Sequence, residues 1–337
     1  MVNYTVADLL PKIQANIDSL EYETAYAFCK RALEIDNGHA EILELTGQVE
    51  VELGDLYSAR EHFAKAIELQ PETGHEKYMC LGQLSGELEA IQCFQKGIDL
   101  MEKEKKQHRS NEEEIAILNH KIAAAYCSMT EIYLTDCCFE PDAEQKCEQY
   151  LQIAQSADPS NPEVYQMLAS VRLSQVRNDE AREALQHSLQ LWINKDPGDP
   201  SIPIYDTRLA LVKLLLELQL YAEAFSVLER LQQENDQSVD LWYLWGWSYY
   251  CLGDEDQLPE EERKHHWEDA RDCLETSVKL YDVTGADDEA MLQHAKELIQ
   301  AINAVVPPSA LEDEADLDDG GDHNLEIDSD QDDAMEM

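Results

Sequence analysis

Basic residues are scarce in this chain of 337 residues: 25 Lys and Arg stand against 71 Asp and Glu, a net charge of −46 at neutral pH. A surface of that sign repels nucleic acid and anionic membranes, which are themselves densely negative, so direct binding to either is excluded. No apolar run approaches the roughly 20 residues of a membrane-spanning helix, and the beginning of the chain is amphipathic, interrupted by Asp8 and Pro11, unlike a secretion signal. There is no glycine-rich loop after a strand, no G-x-S-x-G and no H-E-x-x-H, so no catalytic residue and no cofactor are expected. The neighbouring His265 and His266 fall at a charged helix start and are expected to be exposed. Nine cysteines include no C-x-x-C pair, and the spacing of Cys137, Cys138 and Cys147 suits zinc poorly, so no metal site is expected either. An odd number of unpaired thiols points to a reducing compartment, cytoplasm or nucleus. The one basic cluster, Lys103 to Arg109, is too diluted to count as an import signal.

What the chain does have is a period of 34 residues: Ala25 recurs at Ala59, Ala32 at Ala66, Glu34 at Glu68 and Ile35 at Leu69. The fullest unit reads Leu43, Gly47, Ala59, Phe63, Ala66, Pro71, and another carries Trp242, Trp245, Gly246, Tyr249. These resemble the tetratricopeptide pattern W-x2-L-G-x2-Y followed by A-x3-F and P. The spacing has a mechanical cause. Small residues such as Gly47, Ala59 and Ala66 let two helices approach closely, and Leu43, Phe63 and Leu69 interlock around them. One helix pair cannot bury its own apolar face, so units stack into a superhelical solenoid.

The second-helix alanine can be followed as Ala25, Ala59, Ala90, Cys147, Ala181, Ala224 and Ala270, each with Cys29, Phe63, Phe94, Leu151, Leu185, Leu228 or Leu274 four residues later, which predicts seven units. Cys29 and Cys147 therefore occupy core slots and read as structural thiols. Unit three is about a turn short before Ala90, and unit four has extra residues around Cys137, Cys138, Phe139 and Pro141. The charged run Met101 to Asn111 holds neither Gly nor Pro and is expected to extend a helix without a break. Three prolines between Asp196 and Pro203 interrupt the helices. Unit seven carries a polar insertion from Asp254 to about His266. An amphipathic helix from Asp287 to about Val305 places Met291, Leu292, Ala295, Leu298, Ile299 and Ile302 on one face, as a cap for the last repeat. The expected organisation is an all-α tetratricopeptide-repeat solenoid over residues 1–306 and a disordered acidic tail over 307–337. That tail holds thirteen acidic residues with no Lys or Arg, so −33 of the −46 remains on the repeat body.

Acidity could serve solubility alone, yet net charges of about 2 to 8 already suffice for small domains. The excess favours a cationic protein partner, drawn in by long-range attraction and released by salt. In tetratricopeptide solenoids the first helix of each unit lines the concave groove. Projecting that property onto this frame selects Glu41, Glu44, Gln48, Glu52, Glu76, Glu131, Glu163, Gln166, Asp206, Glu217 and Asp240, with the aromatics Tyr243, Trp247 and Tyr250 at one end. Any single Glu among them also reads as an ordinary solvated face, and the aromatics as packing under the insertion of unit seven. Trp242, Trp245 and Tyr249 are core positions of the motif.

The runs Tyr78 to Gly86, Phe94 to Ile98, Ala157 to Glu163 and Val239 to Trp247 are similar to those of fungal dedicated assembly chaperones of the universal large-subunit ribosomal protein four, and the likeness covers nearly the whole chain. The resemblance implies a non-enzymatic chaperone. It would capture one newly made basic ribosomal protein, shield its long internal loop and deliver it to nuclear pre-ribosomes, with nuclear import factors as further partners. A co-chaperone adaptor for a general heat-shock chaperone is the alternative, but its carboxylate clamp needs groove Lys, Asn and Arg. Lys12 and Asn16 have the right spacing but fall at core-facing positions, and Glu41, Glu44 and Glu76 would repel an acidic peptide. A scaffold subunit of a larger complex is the third reading.

Overall fold

The computed structural model describes residues 4–107, 111–255 and 257–308, and every regular element among them is a helix. In chain order these are α1 (Val6–Asp18), α2 (Tyr22–Ile35), α3 (Ala40–Glu52), α4 (Leu56–Leu69), α5 (Glu76–Gln83), α6 (Glu87–Gln107), α7 (Glu112–Leu134), α8 (Ala143–Ala157), α9 (Pro162–Ser174), α10 (Asn178–Gln190), α11 (Tyr205–Glu217), α12 (Tyr221–Glu234), α13 (Val239–Gly253), α14 (Glu260–Thr284) and α15 (Glu289–Val305). They gather into two compact units, Met1–Leu220 and Tyr221–Met337. In the repeat frame read from the sequence, the odd-numbered helices up to α13 are first helices and the even-numbered ones second helices. The segment expected to be a tail lies, from residue 309 on, outside the described residues.

The period of 34 is a packing device. Every member of the alanine row and of the row four residues later is at most 3 % exposed. A Cβ on Gly47 would stand 2.9 Å from the Phe63 ring, one on Gly82 2.9 Å from the Phe94 ring, and one on Gly246 2.6 Å from Leu274. Each pair is thus keyed by a large second-helix side chain against bare first-helix backbone. Leu69, expected in the same ridge, is exposed at the end of α4. A second recurring device joins successive units: the Tyr78 hydroxyl donates to the Pro71 carbonyl, the Tyr165 hydroxyl to Pro159, and Trp242 Nε1 to Asp236. The aromatic on the first turn of each of these first helices holds the turn before it.

Four of the first helices, α1, α3, α9 and α11, also end alike. Leu20, Gly54, Val176 and Gln219 all adopt positive φ, and the residue after each donates its N–H back five residues to close a Schellman motif: Glu21 to Asn16, Asp55 to Glu50, Arg177 to Arg172, Leu220 to Leu215.

The departures from the frame are helical. The run after Met101 extends α6 to Gln107, but Asn111 then caps a separate helix by accepting from the Glu114 amide, so the expected continuous extension stops there. Most of the expected insertion in unit seven is the lengthened start of α14, which begins at Glu260. The proline segment is irregular as expected, and within this connection, before the prolines, lies Trp192, fully buried. The other four of the five tryptophans sit on α13 and α14. His265 is exposed, but His266 is half-buried and stacks on Tyr249, because the lengthened α14 lies along α13. No helix among the described residues is long and apolar enough to cross a membrane.

Candidate functional site

In the first unit, α3, the turn after α4 and the far end of α6 enclose a recess of about 530 Å³, walled by Glu41, Glu44 and Gln48, then Glu72 to Glu76, then Lys103, Glu104 and Gln107. Helical spacing puts Glu41, Glu44 and Gln48 on one face of α3, and the turn brings Glu76 opposite. Four of the residues selected by projection, Glu41, Glu44, Gln48 and Glu76, therefore line one recess.

Most of its carboxylates are already matched by internal cations. Glu44 faces the fully buried Lys77, Nζ to Oε2 4.0 Å; burial pushes its carboxyl above the usual range and Lys77 offsets part of that. Glu76 accepts from Lys121 at 2.9 Å, which holds its carboxyl low. Lys121 also donates to His75 Nε2 at 3.3 Å, while His75 Nδ1 lies 3.2 Å from Glu104 Oε2. Burial, with Lys121 beside it, lowers the His75 pKa, so the neutral ring with its proton on Nδ1 fits both contacts. Glu72 takes both Lys96 and Lys103, and its pKa falls to about 2. Among the described residues Glu41 has no cationic partner, and Glu104 has only the neutral His75. These two carry the surplus negative charge of the recess.

Further along the first helices, Glu131 on α7 is exposed and without an ion pair among the described residues. Glu163 on α9 is half-buried, its pKa raised by burial and partly offset by His120. Both lie near Cys127, whose buried thiol is pushed up to about 12. The thiols of Cys29 and Cys147 are raised to about 11, again chiefly by burial, as structural cysteines should be.

The rest of the projection is placed elsewhere. Glu52 lies beside Tyr22, whose pKa burial and this carboxylate raise, and does not wall the recess. Gln166 is buried and donates to the Thr207 carbonyl at 3.0 Å, stapling α9 to the start of α11, so it is a structural residue and no groove contact. Asp206 and Glu217 sit at opposite ends of α11, and Asp240 at the start of α13 in the second unit; all three are exposed. Tyr243, Trp247 and Tyr250 do form one cluster, but it is half-buried: α15 packs on it through Ala295, Leu298 and Ile302, and the Tyr243 hydroxyl lies 2.7 Å from His294 Nδ1. These rings seat the terminal helix, which takes the place the projection left open. Glu72 and Glu104 escaped the projection because neither lies on a first helix; the charged run that lengthens α6 was the available signal for Glu104. Lys12 is half-buried, not in the core, with its ammonium 4.1 Å from the Tyr4 ring centroid, and Asn16 donates to the Lys12 carbonyl.

Keyed helix pairs with a repeated cap define a tetratricopeptide-repeat protein, and the tetratricopeptide repeat model matches residues 40–73, which span α3 and α4. Among curated proteins, the chain is 35 % identical to a probable assembly chaperone of rpl4 from Emericella nidulans, over 97 % of this chain and 90 % of that one. It is 34 % identical to a protein of the same name from Schizosaccharomyces pombe, over 91 % of this chain and 94 % of that one. The solved structure of an assembly chaperone of RpL4, Acl4, superimposes with a TM-score of 0.67 at 34 % identity, covering 78 % of this chain and 99 % of the other. The chain belongs to the family of assembly chaperones of rpl4. A complex of the anaphase-promoting machinery, Cut9–Hcn1, aligns at a TM-score of 0.51 and 13 % identity and shares the fold alone.

Proposed function

We propose that this protein is a non-enzymatic chaperone dedicated to rpl4, the client in the names of its relatives, and that it holds a basic stretch of that client on the first-helix face of Met1–Leu220. The carrying observation is that Glu41 and Glu131 on that face, and Glu104 beside it on α6, have no charged partner among the described residues, on a chain of net charge −46. A ribosomal protein carries Lys and Arg meant for RNA; until assembly those charges attract stray nucleic acid. Glutamates held in place by their neighbours occupy them at little ordering cost. Ribosomal RNA, with one phosphate per nucleotide, outcompetes this face and drives release. Capture in the cytoplasm and release in the nucleus, with import factors acting on the loaded complex, complete the reading.

Glu44 and Glu76 are poor positions for a test, since reversing them would strand Lys77 and Lys121. The variant Glu41→Lys/Gln48→Lys/Glu131→Lys touches no internal pair. Its circular dichroism and melting temperature should match the parent, and its affinity for purified client in a titration calorimeter should fall by at least about tenfold, two carboxylates being reversed and a third positive charge added beside them. Equal affinity would refute binding on this face.

A further inference from the structure

The second unit carries a smaller recess, about 220 Å³, walled by Trp242, Trp245 and Tyr249 of α13 and by Asp269, Asp272 and Cys273 of α14. It adjoins the cluster that seats α15 and shares Tyr249 with it. Pockets for drug-sized molecules run to about 300–1,000 Å³; this one has room for a single long side chain.

Its walls are of two kinds. On one side Trp242 and Trp245 stack, centroids 5.7 Å apart and planes at 18°. Trp242 is fixed by its bond to the Asp236 carbonyl, and Tyr249 by Phe225 on one side and His266 on the other. On the other side are two carboxylates three residues apart on α14. Among the described residues neither pairs with Lys or Arg, and Asp269 has only His265 at 3.8 Å. Burial raises the Asp269 pKa, and His265 and His266 offset only part of that. The Cys273 thiol, pushed up to about 12, stays neutral. Trp242, Trp245 and Tyr249 are motif core positions, yet all three are only half-buried. An aromatic platform facing unpaired carboxylates fits a planar cation that stacks and donates two hydrogen bonds at once, which describes arginine better than lysine.

We propose that this recess is a second client site that takes one arginine side chain of an extended basic segment, its guanidinium over the Trp242–Trp245 pair and its N–H groups on Asp269 and Asp272. The proposal deepens the function proposed above and rests on its premise of a basic client. It adds selectivity for arginine, which the first-unit recess, whose lining has no Trp, Tyr or Phe ring, does not supply.

The test uses the full chain labelled with nitrogen-15, with the Trp242 and Trp245 indole signals assigned from Trp242→Phe and Trp245→Phe variants. The probe is a capped glycine–arginine repeat peptide; its counterpart with citrulline, isosteric and uncharged, is the control. The arginine peptide should shift both indole signals saturably, the citrulline peptide should not, and Asp269→Asn/Asp272→Asn should weaken the response by about tenfold, the loss of two ion pairs with the cation–π contact retained. The Glu41→Lys/Gln48→Lys/Glu131→Lys variant should keep the indole response while losing whole client, which separates failure of this site from failure of the first. Equal shifts with citrulline, no shift with either peptide, or a response indifferent to the Asp→Asn pair would each overturn the proposal.

Discussion

Single positions in this protein are constrained more by backbone approach than by chemistry. At Gly47 the Phe63 ring already stands where a Cβ would go, 2.9 Å away. Gly47→Ala forces a fully buried ring to move, and overpacking of this kind costs about 1–3 kcal/mol; a urea titration should show that loss with helix content unchanged at zero denaturant. The opposite is expected at Val176, a β-branched residue at φ +60° in the slot that Gly54 fills elsewhere. The left-handed conformation costs a non-glycine residue about 1–2 kcal/mol, against about 0.5–1 kcal/mol of chain entropy for glycine. Val176→Gly should therefore raise stability by about 0.5–1 kcal/mol, read as a higher denaturant midpoint at constant slope. Only the first of these slots shows in the amino acids themselves. Gly47, Ala59 and Phe63 name a tetratricopeptide unit on sight, whereas a Val under strain looks like any other surface Val.

Helices here are tied to one another by ion pairs that cross between elements, and the clearest tie joins the turn after α4 to α6. Glu72 accepts from Lys96 and Lys103, seven residues apart on one face of α6. Because its folded pKa is depressed to about 2, below the ordinary 4.5, the contribution of Glu72 is fully present above about pH 4.5 and is lost as the pH falls toward 2. Glu72→Gln should remove that part of the acid-melting profile while leaving the profile above neutrality untouched, as thermal melts across the acid range would show. A variant whose acid profile matches the parent would mean that Glu72 adds nothing to stability. At this level the sequence was a partial guide. The face of α3 could be projected from the repeat because helical spacing is regular. Glu104 could not, since a repeat frame says nothing about where an overlong second helix ends. Gln166 and the Tyr243–Trp247–Tyr250 cluster were misread for a related reason: a first-helix position is solvent-facing only until another helix covers it, and α11 and α15 cover these.

Charge acts over the molecule at large. Deleting residues 309–337 takes the net charge from −46 to −33. Association with client should become slower and less salt-sensitive in stopped-flow mixing, with a specific complex still formed; complete loss of binding would place the main client site in the deleted segment. The cut belongs after Pro308 and not after Val306, because the buried Arg271 donates to the Val306 carbonyl at 2.9 Å, a contact that a new terminal carboxylate would disturb. The distribution of tryptophans has an optical consequence. Four of the five, Trp242, Trp245, Trp247 and Trp267, belong to Tyr221–Met337, and the fifth, Trp192, is the sole indole in Met1–Leu220. Intrinsic emission is therefore dominated by one unit, while far-ultraviolet dichroism weighs every helix. Followed together through a denaturant series, the two signals say whether the units melt as one or in turn, and replacing Trp192 by Phe would leave emission a reporter of the arginine recess and its surroundings alone.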